Sequence, residues 1–109
     1  MRIWDISSSK LCRNHLLGEH RELHAIWSIL TNNKYGYSKH PETLRWKGKL
    51  KALYIRHNEL VKEMKKRDYN HQSPLDARLA LGNSKQIVYV DSYMQQINIL
   101  KRKKCDCKI

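Results

Sequence analysis

Long apolar runs are missing from this chain. No stretch approaches the roughly 20 residues that a membrane-spanning helix requires, and no adequate apolar run follows the start, so neither a spanning segment nor a secretory signal is expected. Acidic residues are scarce: 10 Asp+Glu face 22 Lys+Arg, which leaves a net charge of +12 and a pI near 9.9. Such an excess attracts polyanions. Nucleic acid is the first partner to consider, an anionic membrane the second, and a basic protein that is merely soluble remains open. Cysteine is sparse too, with Cys12 alone and Cys105 and Cys107 forming a C-x-C at the tail. An odd number, two of them too close for an ordinary bridge, argues against a disulfide scaffold and fits an intracellular, cytoplasmic protein. C-x-C by itself is a weak metal signal and reads as incidental or redox-labile.

What is present fits one domain over residues 1–109 with one modest core and a basic tail from about 101 to 109. Met1 to Ile6 is short and partly apolar, with Trp4 as an anchor, and Ser7-Ser8-Ser9 offers a helix cap. From Lys10 to about Thr31 the spacing predicts a helix whose stripe is Leu16, Leu23, Ile26, Trp27 and Leu30, joined by Cys12; Asn32-Asn33 and the Gly36 region break it. Pro41 to Asp68 reads as a second long helix burying Leu50, Leu53, Tyr54, His57, Leu60, Val61 and Met64, with Leu44 an outlying anchor. Gly48 interrupts it, so either the helix starts later or another backbone approaches closely there. After the polar "NHQS", Pro74 opens a short helix through about Leu81. "QIVYV", Gln86 to Val90, is an extended connector, since a lone strand has no partner. Asp91 caps a last helix to about Lys104, with Met94, Ile97 and Leu100 or Lys101 at helical spacing. The expected architecture is all-α: three main helices and a short one around one core, with no internal repeat.

"GEHRELH", Gly18 to His24, superficially offers a zinc-protease helix. That chemistry needs Glu directly after the first His, facing the metal-bound water. Glu22 instead follows His20 by two residues and, at about 100° per residue, points away from both histidines. No third ligand announces itself, so His20 and His24 read as ordinary histidines and no metal site is expected. Glu22 is the more informative residue. On a helical wheel His15, Glu19 and Glu22 stack along one border of the apolar stripe, while Arg21 lies further towards solvent. A rim glutamate paired to a lysine is the bland account, yet a carboxylate near the binding face of so basic a protein opposes phosphate and needs a reason.

The residues around it supply one. "HLLGEHREL", His15 to Leu23, resembles the H-L-x-x-E-x-R-E-L signature of the pyrimidine-dimer DNA glycosylases, the phage endonuclease V family. "KLKALYIRHNELVKEMKKRDYN", Lys49 to Asn70, is similar to that family's long second helix, and "MRIWD" to its N-terminal arm. The similarity covers about the first 70 residues. It implies an all-α base-excision enzyme acting on damaged double-stranded DNA, with no metal, no organic cofactor and an N-terminal arm that reaches the active site; a monomer is the default, since one enzyme on one lesion needs no symmetry, and no membrane is expected. In that family the N-terminal α-amine attacks C1′ of the damaged nucleotide, expels the base and forms a Schiff base; elimination then cuts the strand on the 3′ side. The family's catalytic glutamate falls on Glu22, and its arginine and histidine on Arg21 and His15.

Counting back from His15, the phage enzyme's nucleophilic threonine aligns with Met1. The large Arg2 disfavours removal of Met1, so the Met1 amine keeps the family's register. Arg2, His15 and Arg21 are the expected DNA contacts, with Lys101 and Arg102 replacing those of the family's aromatic and basic tail. The family's proline and arginine after the signature are here His24 and Ala25. Arg45, Lys47, Lys49 and Lys51 either track phosphate or form a solvated helix start. Two other functions stay open: a glycosylase/lyase for other lesions or abasic sites, and a non-catalytic module that binds damaged DNA. The expected location is the cytoplasm, at the nucleoid in a bacterium or archaeon and in the host cell for a virus.

Overall fold

Apolar side chains returning at intervals of three and four draw the longest helix, α1 (Arg13–Asn32), against a second, α3 (Leu50–Lys66). A computed structural model describes residues 2–32, 39–70, 73–103 and 105–108. Between these two helices lies the short α2 (Pro41–Arg45), and α4 (Tyr93–Arg102) comes last. Single 3-10 turns occupy Ser8–Lys10 and Ala77–Leu79. Among the described residues there is no strand, and the all-α class holds. The radius of gyration, 13.6 Å, is close to the ~13 Å of a compact chain of this length.

The core joins Leu16, Leu23, Ile26 and Trp27 of α1 to Leu53, Leu60 and Met64 of α3 and Leu100 of α4. The arm contributes as much as a helix does: Ile3, Trp4 and Ile6 are buried within the same cluster. No helix is long and apolar enough to cross a membrane, among the described residues.

The expected single helix from Pro41 to Asp68 is in fact two, and Gly48 shows why. Its φ of +76° is a left-handed conformation that ends α2's run, and Gly82, at φ +89°, crosses it. A Cβ on Gly82 would collide with the Gly48 carbonyl. The crossing also solves a helix-end problem. The Lys51 and Ala52 N–H groups in the first turn of α3 lack intrahelical acceptors; they donate to the Leu81 and Asn83 carbonyls at 2.9 and 3.0 Å. Both options read from Gly48 are therefore realised.

Breaking the helix rotates α2. Leu44, expected as an anchor, is 49 % exposed, while Glu42, Thr43, Arg45 and Trp46 turn inward. The helix expected from Pro74 to Leu81 is only the turn Ala77–Leu79, capped by Asp76. At α4 the cap is Ser92, not Asp91, in a capping box with Gln95. Its buried face carries Gln96 and Leu100, and Met94 is 61 % exposed. Gln86 to Val90 forms no strand, as expected, and is tied to the fold by Gln86, which binds Lys49 and the Arg45 carbonyl, and by the Val88 carbonyl, which accepts from Arg45. The chain breaks expected at Asn33 and Gly36, part of "NHQS", and Lys104 lie outside the described residues.

Candidate active site

The N-terminal arm has no sheet to satisfy its amides, so side chains do it. Ile3 N–H donates to Glu42 Oε1 of α2 at 3.1 Å, Trp4 N–H to Glu19 Oε1 of α1 at 3.0 Å, and Asp5 N–H to Gln96 Oε1 of α4 at 2.8 Å. Consecutive amides thus find acceptors on different helices. Two of the acceptors are carboxylates, which make stronger bonds than neutral oxygens.

Each of those carboxylates is held by an arginine, Arg45 buried and Arg56 largely so, that also grips the arm. Arg56 donates to both oxygens of Glu19, at 2.7 and 3.0 Å, and to the Ile6 carbonyl at 2.9 Å. Arg45 pairs with Glu42 at 2.7 Å and Asp5 at 3.2 Å, and donates to the Ile3 carbonyl at 2.9 Å. Gln96 returns a bond to Asp5 Oδ2 at 2.9 Å. Burial pushes the Glu19 carboxyl up from its usual range, and the Arg56 guanidinium and Trp4 N–H pull it back. The partner charge of Glu19 in turn holds Arg56 firmly protonated, against the opposing effect of its own burial. Arg45 is accordingly part of this clamp and not a tracker of phosphate; Lys49 Nζ is bound to Gln86 Oε1, while Lys47 and Lys51 are solvated.

Glu22 lies one turn beyond Glu19 on α1 and differs from it in every respect. It is half-buried, and among the described residues nothing pairs with its carboxylate. A carboxylate at the rim of the core, with no partner among the described residues, can stabilise positive charge on a bound sugar or carry a proton. Arg21 next to it is exposed.

The other expected contacts are scattered. Arg2 lies over the Trp4 ring, 4.9 Å from its centroid, and pairs with Asp91 at 2.8 Å. Lys101 and Arg102 are exposed in the last turn of α4, where cations also suit the helix C-terminus. No described hydrogen bond links either to Glu22. Met1 lies outside the described residues. His15 faces a different group: its Nδ1 is 3.1 Å from Cys12 Sγ and 3.3 Å from Cys107 Sγ, and its ring meets Trp4 edge-on at 5.8 Å. Burial and the nearby Lys103 hold the imidazole below its usual range.

Two groups in the fold could hold a metal ion, among the described residues. One is Cys12, His15, Cys105 and Cys107; the other is His20, His24 and His57, and within each group the ligand atoms lie within 4.8 Å of one another. The third histidine that the sequence did not announce comes from α3, where His57 was counted only as a core residue. Glu19, Glu42 and Gln96 were missed as well. Their signal was a carboxylate on the border of an apolar stripe and an Arg three residues after a Glu, neither specific without the fold.

A model of the pyrimidine dimer DNA glycosylase family matches residues 1–77, which take in the arm, Glu22 and α1 to α3 but not α4 or the tail. No curated protein and no solved structure matches the chain.

Proposed function

The chain belongs to the pyrimidine dimer DNA glycosylase family, and from that premise we propose that it both excises a UV-damaged pyrimidine from duplex DNA and cleaves the strand at the resulting abasic site. The Met1 α-amine is the nucleophile and Glu22 the catalytic carboxylate. The observation that carries the assignment is the clamp: Glu42, Glu19 and Gln96 fix the amides of residues 3 to 5, and Glu22, with no partner among the described residues, follows Glu19 by one turn of α1.

An α-amine has an ordinary pKa near ~8, so a useful fraction is unprotonated at neutral pH, unlike a lysine at ~10.4. The adjacent Arg2 favours the neutral amine, an effect moderated by its pairing with Asp91. The amine attacks C1′ as the damaged base departs, and Glu22 stabilises the oxocarbenium-like charge that develops. Loss of the sugar's ring oxygen bond gives the Schiff base. Glu22 then serves as proton shuttle while β-elimination breaks the 3′ C–O bond. Weakened stacking at the lesion lowers the cost of extruding a nucleotide towards the site. Arg21, Lys101 and Arg102 serve the phosphates as a monomer binds, while the contacts of Arg2 and His15 mark those two as organisers of the arm first.

Borohydride trapping with mass mapping tests this. Untagged protein is incubated with a thymine-dimer duplex and an abasic-site duplex. A covalent adduct at Met1 on both is expected. An adduct on abasic DNA alone would refute the dimer assignment, and an adduct at a lysine would refute the nucleophile.

A further inference from the structure

The chemistry above leaves unused the thiol and imidazole group where the tail meets the start of α1. Cys12 and His15 sit on adjoining turns, a C-x2-H spacing, and the C-x-C of Cys105 and Cys107 folds back onto them from α4. Cys12 and Cys107 are 95 residues apart in the chain, yet the Cys12 N–H points at Cys107 Sγ at 3.1 Å. All four ligand atoms lie within 4.8 Å of one another, with His15 Nδ1 at 3.1 and 3.3 Å from the Cys12 and Cys107 sulfurs.

We propose that Cys12, His15, Cys105 and Cys107 form a structural zinc site that staples the C-terminal tail to the N-terminus of α1. Zinc bonds of ~2.3 Å to sulfur and ~2.0–2.1 Å to nitrogen in a tetrahedron put sulfurs about 3.8 Å apart and sulfur to nitrogen about 3.6 Å apart. The two pairs of His15 with Cys12 and Cys107 therefore need to open by only a few tenths of an ångström, and the 4.8 Å bound on the others is within about 1 Å of the separation zinc sets. Three sulfurs and one imidazole make a closed set with no open position, which marks a structural site and not a hydrolytic one. The Cys12 N–H aimed at Cys107 Sγ supplies the kind of outer bond that steadies a coordinated thiolate.

Binding exchanges three thiol protons, released to solvent, for one zinc(II) ion, and the resulting cluster carries one net negative charge. Arg13 and Lys103 line the same cavity with one carboxylate, Asp106, and the surplus positive charge offsets it. The trio of His20, His24 and His57 is the weaker competitor, since it offers no thiolate and only three ligands.

The site sets aside two expectations, that Cys105 and Cys107 are incidental and that the chain holds no metal. It also gives His15 a different task from DNA contact. With Nδ1 on zinc, the ring is locked edge-on against Trp4, and Trp4 is the arm residue bound to Glu19. The inference stands independently of the catalytic assignment.

The test is metal analysis of the full-length chain purified without chelator. About one zinc per chain is expected, together with the thiolate charge-transfer and tetrahedral d–d bands of the cobalt-substituted protein. A strong chelator should lower Tm by more than about 5 °C, reversibly on adding zinc. Cys105→Ser/Cys107→Ser should lose the metal, whereas His24→Gln should keep it. Zinc-free wild type without thiolate bands after cobalt addition would overturn the proposal, whether or not the serine variant folds. So would zinc lost only in His24→Gln, or a Cys12–Cys107 disulfide in the freshly purified protein.

Discussion

Arg56→Met should destabilise the protein by about 4–6 kcal/mol at pH 7, and most of that loss should disappear once Glu19 is neutralised as well. The Arg56 side chain is 11 % exposed and the Glu19 side chain 0 %. Met retains the apolar stem but no donor. Among the described residues, Glu19 Oε2 is then left without a donor, and Oε1 keeps only the Trp4 N–H at 3.0 Å. Breaking one partner of a buried pair costs about 3–5 kcal/mol. The Ile6 carbonyl also loses its Arg56 donor, which adds about 1 kcal/mol. The contact with the solvated Glu59 adds little. A loss of this size lowers Tm by roughly 20 °C.

The pH dependence carries the sharper signature. Burial pushes the Glu19 carboxyl up while Arg56 pulls it back, so removing Arg56 leaves the upward push with little opposition. A folded pKa raised above the unfolded ~4.3 contributes stability that is complete below that unfolded value. It is lost as pH rises through the folded pKa. Arg56→Met should therefore be more stable at pH 5 than at pH 7, with a steeper slope than wild type. Glu19→Gln/Arg56→Met, which removes both charges and keeps an acceptor for Trp4, should lie within about 2 kcal/mol of wild type. Urea unfolding followed by tryptophan fluorescence at the two pH values decides it. A single-variant loss under about 1 kcal/mol, or a double variant as unstable as the sum of the singles, would refute the reasoning.

Glu22→Gln should lower base removal at least ~100-fold while leaving affinity for dimer-containing DNA intact; undiminished strand cleavage would contradict its role. Lys101→Ala/Arg102→Ala should reduce the slope of log K against log salt by roughly 2 with only a small fall in Tm, because both side chains are exposed and contribute little beyond the end of α4. A salt titration of duplex binding reads this, and an unchanged slope removes the two residues from the interface. The glycines should split in sign. Gly82→Ala meets both a φ of +89° and the Gly48 carbonyl, and should cost more than about 1 kcal/mol. Gly18→Ala, inside α1 with nothing near its added carbon, should gain about 0.5–1 kcal/mol. Urea midpoints compare the pair, and a destabilised Gly18→Ala would contradict the open surroundings of that residue.

Periodicity sufficed for α1 and the body of α3, where one face is apolar and regular: Leu16, Leu23, Ile26 and Trp27 against Leu53, Leu60 and Met64. The signature around Glu22 likewise stood in a contiguous stretch that the family match covers. What escaped depended on partners distant in the chain. Leu44 gave way to Glu42 and Arg45 because the Gly48–Gly82 crossing resets the helix register, and Gly82 is 34 positions further on. Glu19 carries no local mark to separate it from Glu22; only the arrival of Arg56 and the Trp4 amide makes one a buried strut and leaves the other available. Met94 was favoured over Gln96 by hydropathy, yet Asp5 selects the amide, since its side chain and its own N–H both bind there. Cys105 and Cys107 needed the tail to fold back over some 90 residues before Cys12 and His15 could give them meaning.

The clamp has a kinetic consequence. Chain ends ordinarily fray, and their amides exchange with solvent almost freely. Here successive amides are captured by α1, α2 and α4, so no partly assembled core can hold the whole arm. Docking of the arm should therefore come late in folding, and hydrogen exchange should place the N–H groups of Ile3, Trp4 and Asp5 in the slow class that reports opening of the entire domain. An arm held in this way takes up its place only in a finished molecule.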